Sequence, residues 1–435
     1  MDVMSSGNST QVIRPARNLV GALRLPGDKS ISHRYAMLAG LARGTTRLTN
    51  YSTGADCAST LACIAALGAQ INRTNDSIEI TGVAGAFNAP AAALDCGNSG
   101  STMRMLSGLI CPHPHTFTLI GDESLSRRPM ERIRAPLSQM GARISLTDGH
   151  APLTIHGQPL VAIAFDTPIP SAQVKTAVLF AGLQARGITT LSEKIRTRDH
   201  GEHALRAFGA HLTRTPDGVS ITGGQKLHAI EAAVPGDISS AAFYLAAALL
   251  FPDSQLTLEH LGMNPTRAAL FDVLTGLGGH IQVLDLEEQH GELVGTVSVR
   301  GPADGLSGAE ISGSVAAQLI DELPVLAAIA PYTQAGIRIR DARELRVKES
   351  DRIALTAKNL RAMGAQVTEH DDGLEVPGNQ QLHGAEIDSG GDHRIAMAFS
   401  VAALRATGDT LIHGADAASI SFPEFYTLLN RIAER

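Results

Sequence analysis

Three short segments of the chain gather charge in a way that could do chemistry: GDKSISHR from Gly27, RVKESDR from Arg346 and GGDHR from Gly390. In the first, Lys29 with His33 and Ser30 with Arg34 stand four residues apart, which stacks them on one helix face as cations among hydroxyls. Lys348 and Arg352 repeat that spacing, with Glu349 and Asp351 interleaved. Asp392, His393 and Arg394 open a strongly apolar run, so their charges fit only a helix cap or a site. Taken singly, each segment also suits a capped or salt-bridged surface helix, worth roughly a few tenths of a kcal/mol per pair. The helix dipole weighs against that reading. Lys29, Arg104, Lys175 and Arg394 fall in or beside predicted first turns, where positive charge is disfavoured. Cations there imply a bound anion, phosphate or carboxylate, met by free backbone N–H groups and side chains. QLIDELP sets Asp321 and Glu322 before another apolar run, a favourable place for an acid that needs no function by itself.

The elements that must position these residues recur along the chain. Five predicted helices end in a small Gly-containing pair, at Gly68, Gly141, Gly209, Gly278 and Gly364, where glycine takes the left-handed cap conformation and lets the chain reverse into a strand. After four of them come a turn and an alternating, strand-like run: NDSIEITG, DGHAPLTIHG, PDGVSITGG and DDGLEVPG. The fourth copy has a longer polar insert, DLEEQHGEL. A small or polar cluster opens an apolar helix six times, at Gly27, Gly97, Pro170, Gly236, Gly313 and Gly390. Six mixed units of roughly 72 residues account for the chain, read as two domains of three units with helices beneath sheets.

Composition narrows the function. With 435 residues, a net charge of −7 and no Lys/Arg blocks, the chain is not built to coat nucleic acid or an anionic membrane. The N-terminal MDVMSSGNSTQ reads as a short polar lead-in without a secretory pattern. The longest apolar stretch, Ala241 to Phe251, is about half of the roughly 20 residues a membrane span needs. Four cysteines without a CxxC pair suit a reducing compartment, so a cytoplasmic protein is expected. No GxxxxGK[ST], strand-anchored GxGxxG or HExxH occurs, so the parts for nucleotide hydrolysis, dinucleotide redox and zincin chemistry are missing. His113/His115 and His200/His203 read as surface histidines, with no metal or cofactor implied. Cys96 reads as a buried thiol rather than a nucleophile.

Taken in order, LPGDKSISHR, GNSGSTMR, SAQVK, IDELP, RVKESDR, GGDHRIAMAF and the C-terminal SFPEFY resemble the EPSP synthase (3-phosphoshikimate 1-carboxyvinyltransferase) family from about Val12 onward, and its class II branch more than class I. The resemblance implies a two-domain inside-out α/β barrel with three βαβαββ-type repeats per domain. It places the first domain at 24–236 and the second at 1–23 with 237–435, with the substrates bound between them. It also implies the reaction: transfer of the enolpyruvyl group of phosphoenolpyruvate to the 5-hydroxyl of 3-phosphoshikimate, releasing phosphate, on the route to aromatic amino acids. Both partners are small anions, no cofactor is called for, and a monomer is expected.

By that resemblance, Asp321 and Glu349 handle protons at the hydroxyl and the methylene carbon, and Lys29 contacts both substrates. Arg128, Arg352 and Arg394 bind phosphoenolpyruvate, with Gly100 and Gln173 nearby. Ser30, Arg34, Ser171, Ala172, Gln173, Arg198 and Lys348 fall on the 3-phosphoshikimate positions. Two departures from class I stand out: Ala172 in place of the second serine of Ser-Ser-Gln, and Ile420 near the place of a lysine. Gly100 stands where some glyphosate-tolerant class II members carry alanine. A UDP-N-acetylglucosamine enolpyruvyl transferase would need a reactive cysteine that PHPHTFTLIGDESLSRRP lacks. A non-catalytic repeat scaffold would have no use for the charged cluster.

Overall fold

A computed structural model describes residues 9–74 and 77–435. The first eight residues of the polar lead-in and the turn expected at Asn75 and Asp76 lie outside the described residues. The chain divides into two units. One holds Pro26–Pro235 together with Glu288–Glu292; the other holds the described residues up to Leu25, Gly236–Glu287 and Leu293–Arg435.

Among the described residues each unit carries three sheets, and the repeat seen in the sequence is a repeat of strand order. In the first unit, Glu231–Ala233 runs parallel to Thr45–Thr49, which pairs antiparallel with Ser77–Thr81 and through it with Gln70–Arg73. Leu94–Asp95, Thr116–Ile120, His150–His156 and Arg143–Thr147 repeat this order, as do Ala164–Asp166, Ile188–Ser192, Gly218–Thr222 and Leu212–Thr215. In the second unit, Ala309–Ile311, Ile337–Ile339, Gly373–Val376 and Thr368–His370 follow the same rule. Asn18–Arg24 starts another such sheet beside Gln255–Gly262. Among the described residues the last sheet has three strands: Glu386–Asp388 lies parallel to Thr410–His413, and Thr10–Ile13 pairs antiparallel with Thr410–His413.

Inside the sheets lie the apolar helices. All twelve residues of Ile238–Leu249 and all eleven of His393–Ala403 are buried, as befits helices apolar around their whole circumference. Helices Gly100–Ile110 and Ala172–Gly182 approach so closely that a Cβ on Gly108 would lie 2.0 Å from the Ala177 carbonyl oxygen. Sheets outside and helices inside agree with the expected architecture. Among the described residues no helix is long and apolar enough to cross a membrane.

The five glycine endings take φ between 89° and 108°. In each, the amide after the glycine reaches back five residues: Ala69 to Ile64 (3.1 Å), Ala142 to Leu137 (3.0 Å), Ala210 to Leu205 (2.9 Å), Gly279 to Leu274 (3.0 Å) and Ala365 to Leu360 (2.9 Å). These are Schellman closures, which satisfy carbonyls that the helix end leaves open. One expectation needs correction. The helix expected from Gly313 breaks into Gly313–Gln318 and Leu323–Ile329, because Pro324 at the start of the second segment cannot donate into a continuous ladder. The polar insert of the fourth copy is a long hairpin, His280–Gln289 and Glu292–Arg300, whose turn groups with the other unit.

Candidate active site

In the unit of Pro26–Pro235 the expected residues form a connected set at three helix starts. Asp28 caps helix Lys29–Leu41 by accepting from the Ile31 amide, and Lys29 Nζ stands 3.0 Å from Asp56 Oδ2. Ser30 is half-buried, and its carbonyl accepts from Arg34 Nη1 at 2.8 Å. Arg34 is buried and donates to Thr176 Oγ1 from Nε (3.2 Å) and Nη2 (2.9 Å), tying the Lys29 helix to Ala172–Gly182. Burial lowers its pKa to about 10 against the opposing pull of Glu202; Arg198, half-buried, is near enough to add to the lowering. Ser171 caps the next helix through the Val174 amide, and Ala172 follows as its first residue. Gln173 Nε2 then donates to Ser101 Oγ (2.9 Å) while its Oε1 accepts from Arg104 Nη1 (2.8 Å). Gly100 begins helix Gly100–Ile110, and a Cβ there would meet Arg128 Nη1 at 3.2 Å. Arg128 Nη2 is held by Asn98 Oδ1 at 2.8 Å.

The unit containing Gly236–Glu287 gathers the rest around Arg352, the first residue of helix Arg352–Ala362. Its guanidinium donates from Nε to Asp392 Oδ2 (2.8 Å), and from Nη2 to Asp392 Oδ1 (3.2 Å) and Glu349 Oε2 (2.6 Å). Nη1, buried, has no hydrogen-bond partner and lies 3.6 Å from Asp321 Oδ1. Burial works against the charge on Arg352, but Asp392, Glu349 and Asp321 outweigh it and push its pKa up. Lys348 Nζ stands 3.4 Å from the same Asp321 oxygen. Arg394, in the first turn of His393–Ala403, donates from Nη1 to the Ser239 carbonyl at 3.3 Å and lies over the Phe243 ring at 5.8 Å. Four sequence segments (IDELP, RVKESDR, GGDHR and the Ser239 helix) thus converge within this unit.

Several readings change. Lys175 does not await a ligand: its counter-ions are Glu193 (2.8 Å) and Glu202 (2.9 Å), with the lysine itself buried. Arg104 likewise spends a donor on Gln173. His33 is buried, and desolvation, helped by Lys29 and Arg34, lowers its pKa well below the usual value, so it adds no charge to the cationic face. Lys348 and Arg352 do not share a helix face, because the helix starts only at Arg352, with Asp351 as its cap. His113 and His200 are not at the surface: the first packs edge-on against Phe87, and the second bonds Glu292 Oε1 at 2.7 Å. Cys96 is buried as expected, with its thiol pKa raised well above the usual value by a hydrogen bond with the free thiol of Cys63 and by burial.

Asp56, Asn98, Ser101 and Thr176 hold site residues, yet carried no signal of their own. They are ordinary polar residues of helix starts and turns, and only their long-range partners mark them.

A family model described as EPSP synthase (3-phosphoshikimate 1-carboxyvinyltransferase) matches residues 13–429. The chain belongs to this family. A 3-phosphoshikimate 1-carboxyvinyltransferase of Koribacter versatilis is 61% identical over 424 residues, covering 97% of this chain and 99% of that protein. One from Solibacter usitatus is 53% identical over the same shares. Among solved structures, an EPSP synthase from Acinetobacter baumannii superposes with a TM-score of 0.86 at 39% identity over 98% of both chains. The enolpyruvyl transferase NikO of Streptomyces tendae, at 20% identity and a TM-score of 0.75 over 98% of both chains, shares the fold. As a member of the EPSP synthase family, the chain is a transferase that moves an enolpyruvyl group to 3-phosphoshikimate.

Proposed function

We propose that the two clusters divide the work of this one reaction, and that the chain acts as a monomer in the cytoplasm, where its four buried thiols stay reduced. Arg128, Arg352 and Arg394 hold phosphoenolpyruvate, whose carboxylate and phosphate suit guanidinium forks. Ser30, Arg34, Ser171, Gln173, Arg198 and Lys348 hold 3-phosphoshikimate, with the backbone at Ala172 standing in for a second serine. Asp321 and Glu349 move the protons at the 5-hydroxyl and the methylene carbon, and Lys29 touches both substrates.

The observation that carries this reading is the Arg352 guanidinium. Glu349 fixes one of its ends, Asp392 locks its plane, and the buried Nη1 keeps a donor without a hydrogen-bond partner beside Asp321. A substrate oxygen that takes that donor comes to rest next to both proposed proton-transfer residues, the proximity general acid and base catalysis requires. The test is phosphate release from phosphoenolpyruvate in the presence of 3-phosphoshikimate. Glu349→Gln is expected to lower kcat by roughly 10²-fold or more with the fold intact. A Glu349→Gln protein turning over at the wild-type rate would overturn the assignment.

A further inference from the structure

Behind Arg394 lies a buried charged group to which the sequence assigned no role beyond a favourable acid at a helix start. Glu322, Arg267 and Ser239 are each 2–3% exposed and come from three separate elements: the cap of helix Leu323–Ile329, the turn Pro265–Arg267 and the first turn of Ile238–Leu249. Glu322 Oε1 accepts from Arg267 Nη2 at 3.2 Å and from the Ser239 hydroxyl, which in turn accepts from Arg267 Nη2. The same Oε1 stands 3.9 Å from Arg394 Nη1, the nitrogen that bonds the Ser239 carbonyl. One buried carboxylate thus faces two buried guanidiniums. Arg267, at 3.2 Å, is closer to the carboxylate than Arg394, at 3.9 Å, so one negative charge anchors Arg394 while two positive charges share it.

We infer that Glu322, with Arg267, is a positioning residue for Arg394, setting where its guanidinium meets the anionic group of phosphoenolpyruvate. This rests on the reading of Arg394 as a substrate-binding cation. Without the carboxylate, two buried like charges would share one pocket and repel, and Arg394, held otherwise by one carbonyl and the Phe243 face, would move.

The experiment is a double-mutant cycle on the full chain with Glu322→Gln and Arg394→Lys, reading KM for each substrate, kcat and the melting temperature. Glu322→Gln is expected to raise KM for phosphoenolpyruvate roughly tenfold while KM for 3-phosphoshikimate stays within about twofold, with the double variant no worse than Arg394→Lys alone. An unchanged KM, a parallel rise for both substrates, or effects that multiply in the double variant would overturn the inference and leave the role of Arg394 standing. A wild-type KM in Arg394→Lys would overturn that role and the inference with it. Should Glu322→Gln not fold, Arg267→Lys, which keeps the charge and loses the fork, enters the same cycle with the same outcomes.

Discussion

Lys175 and Arg352 are both buried cations near helix starts, and the difference between them is one of donor counting. An ammonium has three N–H donors, and those of Lys175 go to Glu193, Glu202 and the Thr197 carbonyl, leaving it structural. A guanidinium has five; Arg352 spends Nε and Nη2 on carboxylates and keeps Nη1. Gly100 bears on the other cluster. Because an added Cβ would lie 3.2 Å from Arg128 Nη1 and 3.3 Å from Arg104 Nη1, both ends of flexible side chains, Gly100→Ala should fold normally and displace Arg128 by a few tenths of an ångström. The expected outcome is a KM for phosphoenolpyruvate raised roughly threefold and a larger loss of glyphosate inhibition; superimposable inhibition curves would count against it. His203 offers a pH readout. Burial disfavours its charge, but its bond to Asp199 and the charge of Glu292 outweigh this and Arg206, so its pKa is raised. A raised histidine stabilises the fold below its unfolded pKa and ceases to do so as pH climbs through the folded value. The melting temperature of wild type over His203→Gln should therefore be higher at pH 5.5, and the gap should shrink by pH 8.

At the scale of elements, the glycine closures separate two costs that sequence alone confounds. Gly141 has φ 102° and open space around a would-be Cβ, so Gly141→Ala should cost about 1 kcal/mol from left-handed strain alone. Gly108 sits inside a helix, where alanine is intrinsically favoured, yet its Cβ would collide with the Ala177 carbonyl and force two buried helices apart. Gly108→Ala should cost about 3 kcal/mol or more. Urea melts of the two variants would check the order, and equal midpoints would refute it. The broken fifth helix belongs to this scale too. Its interruption is what leaves Asp321 half-buried and aimed at Arg352 and Lys348, instead of wound into a helix interior.

At the scale of the molecule, Lys29 lies in one unit and Glu349 in the other, so a chain acting as a monomer must supply both itself. An equimolar mixture of Lys29→Met and Glu349→Gln proteins should stay as inactive as either alone; recovered turnover would mean that chains share sites. The repeat count, the glycine closures and the residue types of the proposed site were legible in the sequence, because each depends on local rules: helical spacing, the left-handed freedom of glycine, and the cost of a cation at a helix start. Where a cation's counter-charge comes from was not. Lys175 and Arg394 both fall in the first turns of buried helices, and only packing between residues far apart in sequence gives the first two carboxylates of its own and leaves the second sharing one with Arg267. Charge balance in a buried site is set by long-range neighbours, so the sequence determined which residues could meet an anion, and the tertiary structure decided which of them are already satisfied.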